Sequence, residues 1–265
     1  MISYEILDQT DDLRLKPFQQ VRDSLLRQKD EVLIDSAKVV CRYLKLGFPL
    51  KTLIAPESFI CEQKDLLKHW PEAQVLAANR KVLESIVGHK IHSGVTALGA
   101  RPQDVSLGAL GDRIIFLNGV NNSENVGTIA RNALAFGATS IIADQHSCSP
   151  YVRRSIRVSM GSVFKCKIHH CTNALMALHE LKLLGYHIFA ASFNNRSVDV
   201  RSVRVPQKSV LIIGCEGDGL QGEVEDFADQ CIHISMQDGI DSLNAAVASG
   251  ILLHHFSHPD PLAFF

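Results

Sequence analysis

The chain has 265 residues, 46% of them hydrophobic, and a formal net charge of −1. It is long enough for a sizeable core in one or two domains, and it carries no overall field that would draw in or repel nucleic acid. No run approaches the roughly 18 apolar residues of a membrane helix, and the acidic, polar start MISYEILDQTDDLRLK is unlike a signal peptide, so a cytoplasmic protein with no membrane association is expected.

After a polar lead-in, DSAKVVCRYLKLGF (35–48) reads as a helix, KTLIAP (51–56) as a short strand and ESFICEQKDLLKHW (57–70) as a helix. QVLAA (74–78), NRKVLESIVG (79–88) and HSGVTALGA (92–100) follow as strand, helix and strand, which completes a compact α/β unit. The segment 100–112 mixes Pro, Gly and polar residues without periodicity and reads as a linker, giving expected domains of 1–105 and 106–265. The second alternates more plainly. Its apolar runs, RIIFLNGV (113–120), TSIIADQ (139–145), VFKCKIH (163–169), YHIFAASF (186–193), SVLIIGCEG (209–217) and QCIHISM (230–236), are separated by helical segments. That pattern implies a mostly parallel sheet covered on both faces, with ligands beyond the carboxyl ends of the strands.

Seven cysteines without a CxxC pair fit reduced, mostly buried thiols. The one metal-like cluster, Cys166, His169, His170 and Cys171, has no second ligand pair at finger spacing, and His254, His255 and His258 suit the last turn of a helix, so no metal is expected. Local charge says more than net charge. RRSIRVSMGSVFKCK holds Arg153, Arg154, Arg157, Lys165 and Lys167 without an acid, and Arg196, Arg201, Arg204 and Lys208 follow with only Asp199 among them, which favours a phosphate-bearing partner.

Three loops that follow strands carry the chemistry. In NGVNNSENVGTIARNALAFGA (118–138), Val126, Ile129, Ala130, Ala133 and Gly137 recur on one helical face, with Gly137 placed for a left-handed cap. Asn125 is a natural N-cap, and Arg131, roughly 9 Å further along the axis, can lean back toward it, so the two are expected to converge above the strand end. The second loop, GCEGDGLQG, contains a GxGxxG with Asp238 about 20 residues on, as in a dinucleotide site. The helix after it, however, begins with Glu223, Glu225 and Asp226, which would repel a pyrophosphate but not a sulfonium. The third loop ends in SLN, where Asp241 or Ser242 can cap an alanine-rich helix with Ser242 and Asn244 in its first turn.

Together the loops resemble the SpoU/TrmH-type RNA ribose methyltransferases of the SPOUT superfamily. Asn125, Gly127, Arg131, Ala133, Phe136 and Gly137 match a first motif NxGxIxRxAxxFG; Gly214, Glu216, Gly217, Gly219 and Leu220 match GxEGxGL; Ile234, Met236, Ser242, Leu243 and Asn244 match IPM followed by SLN. Ser235 stands in place of the usual proline, and Ala245 where valine is commoner. More loosely, SGVTAL near Ser93 is similar to a phrase of the L30e-type RNA-binding domain that often precedes this catalytic domain. The resemblance implies an α/β chain in which a deep trefoil knot closes the mostly parallel catalytic sheet, after a smaller L30e-like α/β domain that binds substrate RNA. It implies a homodimer, S-adenosylmethionine held by backbone groups around Gly214, Gly219, Leu220, Ile234, Met236 and Leu243, and tRNA or rRNA as partner, with Arg153, Arg154 and Arg157 on the phosphates. The implied reaction is methyl transfer to a ribose 2′-hydroxyl. Arg131 would grip the neighbouring phosphate and polarise the hydroxyl, since a free guanidinium loses its proton only above about pH 12. Asn125 and Asn244 would orient ribose or arginine, Glu216 would pair with donor groups and Ser242 would fix the third loop. A nicotinamide-dependent oxidoreductase and a non-catalytic RNA-binding protein on the same fold are the alternatives.

Overall fold

The computed structural model describes residues 3–19, 30–87, 94–215, 217, 219–239 and 242–257. By packing, the chain divides into two units, one of Met1–Pro102 with Tyr151–Phe164 and one of Gln103–Pro150 with Lys165–Phe265. The chain therefore changes unit three times, and 151–164 groups with the first unit although the residues on both sides of it belong to the second.

In the first unit, β1 (Glu5–Leu7), β2 (Glu31–Asp35), β3 (Leu50–Ala55), β4 (Gln74–Ala78) and β5 (Thr96–Ala100) form one sheet in the order β1-β4-β3-β5-β2. β1, β4 and β3 are parallel, and β5 runs antiparallel to both β3 and β2. The polar lead-in thus contains two strands that hydrophobic patterning misses. β1 buries only Leu7, and β2 is three buried residues, Val32 to Ile34, between two acids. The expected helix over 57–70 is two, Glu57–Glu62 and Lys64–Leu67, broken at Gln63. Tyr43 is fully buried, its hydroxyl 2.8 Å from the carbonyl oxygens of Pro49 and Ala100. Phe164, from the segment that joins this unit late, packs edge-on against it.

The second unit is a seven-stranded sheet of β6 (Arg113–Asn118), β7 (Ser140–Ala143), β8 (Lys167–His170), β9 (His187–Ala191), β10 (Val198–Asp199), β11 (Ser209–Gly214) and β12 (Gln230–His233), in the order β10-β12-β9-β11-β6-β7-β8. Every pairing is parallel. β6, β7 and β11 are buried almost end to end, as strands covered on both faces must be. One layer of the core holds Ile114, Phe116, Ile142, Ile188, Val210 and Ile212 against Leu178 and Leu181 of the helix Ala174–Leu183. Helix Ala245–Ser257 packs on helix Ser123–Ala135. After β9 the chain runs to the edge at β10, returns to the middle of the sheet as β11, and crosses out again to β12 beyond β9. Among the described residues no helix is long and apolar enough to cross a membrane.

Candidate active site

The first loop leaves β6 at Asn118. Helix 123–135 then begins at Ser123, capped by Asn122, whose Oδ1 accepts from the Glu124 amide at 2.8 Å. The expected cap, Asn125, lies instead inside the first turn and is buried. The reason is a tertiary bond: Asn125 Oδ1 accepts from Asn244 Nδ2 at 3.1 Å, so its amide is spent on the C-terminal helix rather than on its own amides. Arg131 is exposed. Six residues at about 100° each set it roughly 240° around the axis from Asn125, so the expected convergence of the two is not seen within the chain. Gly137 does end the helix with a left-handed φ of +79°.

The third loop follows β12. Ser235 donates to Asp199 Oδ2 on β10. The Arg201 and Ser235 hydrogen bonds hold that carboxyl well below the usual carboxylate range. Helix 245–257 is capped by Asn244 and not by Ser242: Asn244 Oδ1 accepts from the amides of Ala246 at 3.0 Å and Val247 at 3.2 Å. Asp241, the other expected cap, lies outside the described residues, as do Ser93, Glu216 and His258. Asn244 therefore works at both ends of its amide, starting one helix and clasping the other.

The second loop closes against itself. Gly214 ends β11, and a Cβ there would sit 2.6 Å from the carbonyl carbon and oxygen of Gly219 and 2.8 Å from the Leu220 nitrogen. Backbone, which cannot step aside, occupies that space, and the Cys215 amide bonding to Gly219 O at 3.1 Å holds it there. Gly219 itself has φ +69°.

Between the second and third loops lies a cavity of about 380 Å³ at the carboxyl ends of β9, β11 and β12. Gly214, Gly219, Leu220, Ile234, Met236 and Leu243 all line it, as does Ser242. Ile213, Ile232 and Leu252 add apolar wall, and among the described residues Glu225 and His233 are its titratable lining besides Cys215. Such a volume, apolar with a few polar groups, is that of a small-molecule site. Arg131 and Asn125 are not among its lining residues. Sequence reading passed over Phe193 and His233, which also face this space; their one signal was position, just after β9 and at the end of β12.

The expected phosphate-binding arginines are placed less uniformly. Arg153 forms a two-pronged pair with Asp35, Nε to Oδ2 at 2.6 Å and Nη2 to Oδ1 at 2.9 Å, inside the first unit, so its guanidinium is already engaged. Arg154 is exposed and Arg157 half-buried on the same short helix. In the Cys/His cluster, His169 Nδ1 sits 2.7 Å from Val105 O, and His170 bridges Asp104 and Ser149 at 2.8 and 3.0 Å. Burial pushes the Cys166 thiol up to about 12 and, with the nearby Asp144 charge adding to it, Cys171 up to about 11. Thiols this hard to ionise are poor nucleophiles. Brief alkylation of the native protein at pH 8, read by peptide mass spectrometry, should therefore label exposed Cys61 and leave Cys166 and Cys171 unmodified until the protein unfolds.

The profile of the SpoU rRNA Methylase family matches residues 112–254. An uncharacterized tRNA/rRNA methyltransferase of Mycobacterium tuberculosis is 28% identical over 255 residues, covering 92% of this chain and 88% of its own. Among solved structures, an AdoMet-bound rRNA methyltransferase from Sinorhizobium meliloti superposes with a TM-score of 0.85 at 24% identity over 95% of this chain and 97% of its own. An RNA 2′-O ribose methyltransferase does so with a TM-score of 0.77 at 22% identity, over 95% and 97%.

Proposed function

The chain belongs to the SpoU rRNA Methylase family, and from that premise we propose that it transfers a methyl group from S-adenosylmethionine to a ribose 2′-hydroxyl of tRNA or rRNA. The observation that carries this is the cavity where the glycine loop and the SLN loop meet. Its aliphatic walls suit an adenine, and the missing side chain at Gly214 lets the Gly219–Leu220 backbone fold closely against β11 to form part of that wall. Glu225 in the lining, with Glu223 and Asp226 beside it on helix 222–227, suits a sulfonium and opposes the pyrophosphate of a nicotinamide coenzyme.

When bound, S-adenosylmethionine supplies an electrophilic methyl group on a good leaving group. The protein's share is to hold the acceptor hydroxyl in line with it and to stabilise the charge that develops there. Arg131, exposed on helix 123–135, grips the phosphate beside the acceptor ribose and polarises its 2′-hydroxyl. Asn125 and Asn244 fix the relation of that helix to the SLN loop, Ser242 holds the loop, and Glu216 pairs with donor groups nearby. Because Arg131 does not line its own chain's cavity, the reading includes a homodimer in which the arginine of one copy serves the cavity of the other. A trefoil knot is supported by the path of the chain, in which β11 returns between β9 and β6 before β12 passes outside β9. The first unit is read as an L30e-like domain that, with Arg154 and Arg157, binds the RNA in the cytoplasm.

The test has two arms. Calorimetry should show the purified protein binding S-adenosylmethionine and not reduced nicotinamide dinucleotide, and ribose-methylation mapping of RNA from cells with and without the gene should reveal a site that disappears. RNA binding without any lost methylation would favour a non-catalytic role.

A further inference from the structure

At the carboxyl ends of β6 and β7, beside the cofactor loop, two side chains are buried that the reaction above does not use. Asn118 is 1% exposed and Asp144 is 4% exposed. An ionised carboxylate so placed is costly unless its oxygens are met by donors. Here Asp144 accepts from Asn118 Nδ2 at 2.9 Å, from the amides of His146 and Ser147 at 3.2 and 2.8 Å, and from the Gly119 amide with both oxygens at 3.2 Å. All of these are neutral donors.

The chemistry of that arrangement fixes the other end of Asn118. A carboxylate accepts and cannot donate, so the amide nitrogen of Asn118 must face Asp144 and its oxygen must face away. Among the described residues the oxygen meets one partner, the backbone amide of Gln221 at 3.2 Å, 103 residues along the chain. Gln221 closes the turn that carries Gly214, Gly219 and Leu220 along the cavity wall. On its other side the same hub braces the approach to the arginine helix: Ser147 Oγ accepts from the Val120 amide and donates to Leu117 O, both at 3.0 Å.

We infer that Asn118 and Asp144 are positioning residues for methyl transfer, holding the cofactor loop against the segment that leads into the Arg131 helix through the bond from the Gln221 amide to Asn118. The inference rests on the cavity being the S-adenosylmethionine site. Gln221→Pro breaks the bond. At a residue whose φ of −62° proline adopts and whose side chain is exposed, it replaces the N–H with a ring carbon that pushes the Asn118 oxygen away. The expected result is a KM for S-adenosylmethionine raised about five- to tenfold, the worth of one hydrogen bond, with kcat at saturating cofactor unchanged.

A second set of variants covers the rest of the hub. Asn118→Asp sets two carboxylates face to face, and Asp144→Asn turns an amide nitrogen toward backbone donors, so each alone should raise the same KM and lower Tm. The double swap exchanges acid and amide, restores a donor opposite every acceptor, and should return KM toward the wild-type value. A KM that stays at wild type in Gln221→Pro, or a double swap no better than the single variants, overturns the inference. Wild-type protein that takes up no S-adenosylmethionine would instead overturn the cofactor assignment on which it stands.

Discussion

Arg131→Ala is expected to lower methyl transfer by about 10²- to 10³-fold, the scale on which one preorganised charged donor contributes to a transition state, while leaving S-adenosylmethionine affinity at the wild-type level. The split follows from placement. Arg131 is exposed, lines no part of the 380 Å³ cavity, and has no hydrogen-bond or ion-pair partner to lose among the described residues. Surface substitutions of this kind shift stability by about 0.5 kcal/mol or less, so an unchanged Tm would assign the lost rate to chemistry rather than to folding. Arg131→Lys keeps the charge but not the planar fork that matches a phosphate, and should recover only part of the rate. Near-full methyl transfer by Arg131→Ala, followed with a tritiated methyl donor, would remove this arginine from the mechanism.

Gly214→Ala should have the complementary effect, loss of cofactor binding. Its methyl group would need the space 2.6 Å from the Gly219 carbonyl group and 2.8 Å from the Leu220 nitrogen. Side chains can rotate out of such a clash. These are backbone atoms held by the hydrogen bond that the Cys215 amide donates to the Gly219 carbonyl oxygen, so the glycine loop itself must move, and overpacking of this kind costs about 1–3 kcal/mol. Gly219 and Leu220 both line the cavity, so the distortion falls on the cofactor wall, and calorimetry should detect little or no S-adenosylmethionine uptake. Wild-type affinity in Gly214→Ala would mean that the loop is not part of the cofactor site. The two variants also report on assembly. If one copy's arginine serves the other's cavity, mixed dimers of Arg131→Ala and Gly214→Ala contain one site with both parts intact, and mixing two weak proteins restores activity. If each copy is self-sufficient, mixing restores nothing.

How much of this was legible in the sequence depended on how local the cause was. The parallel sheet could be read because β6, β7 and β11 are unbroken apolar runs bounded by glycine and polar residues, a signal contained in each segment. The cavity-lining positions could be read because glycine punctuation and strand ends are local too. The Asn125 cap assignment failed for a reason remote in sequence. In a stretch with asparagines at 118, 121, 122 and 125, any could cap a helix, and the choice of Asn122 was settled by Asn244, which claims Asn125 from 119 residues away. Asn118 and Asp144 went unread on the same ground. Each is an ordinary polar residue after a strand, and only the fold brings them together. β1 and β2 were lost for a different reason: three to five residues flanked by charge are too short for periodicity to show.

The late return of 151–164 to the first unit has a consequence for dissecting this protein. Cutting the chain once near residue 102 would not yield an intact N-terminal module. It would strip Asp35 of the Arg153 guanidinium that meets both its oxygens, and take Phe164 from the face of Tyr43. The first unit is interrupted in sequence by 103–150, so during synthesis it cannot be completed until that stretch of the second has been made and residue 164 has followed.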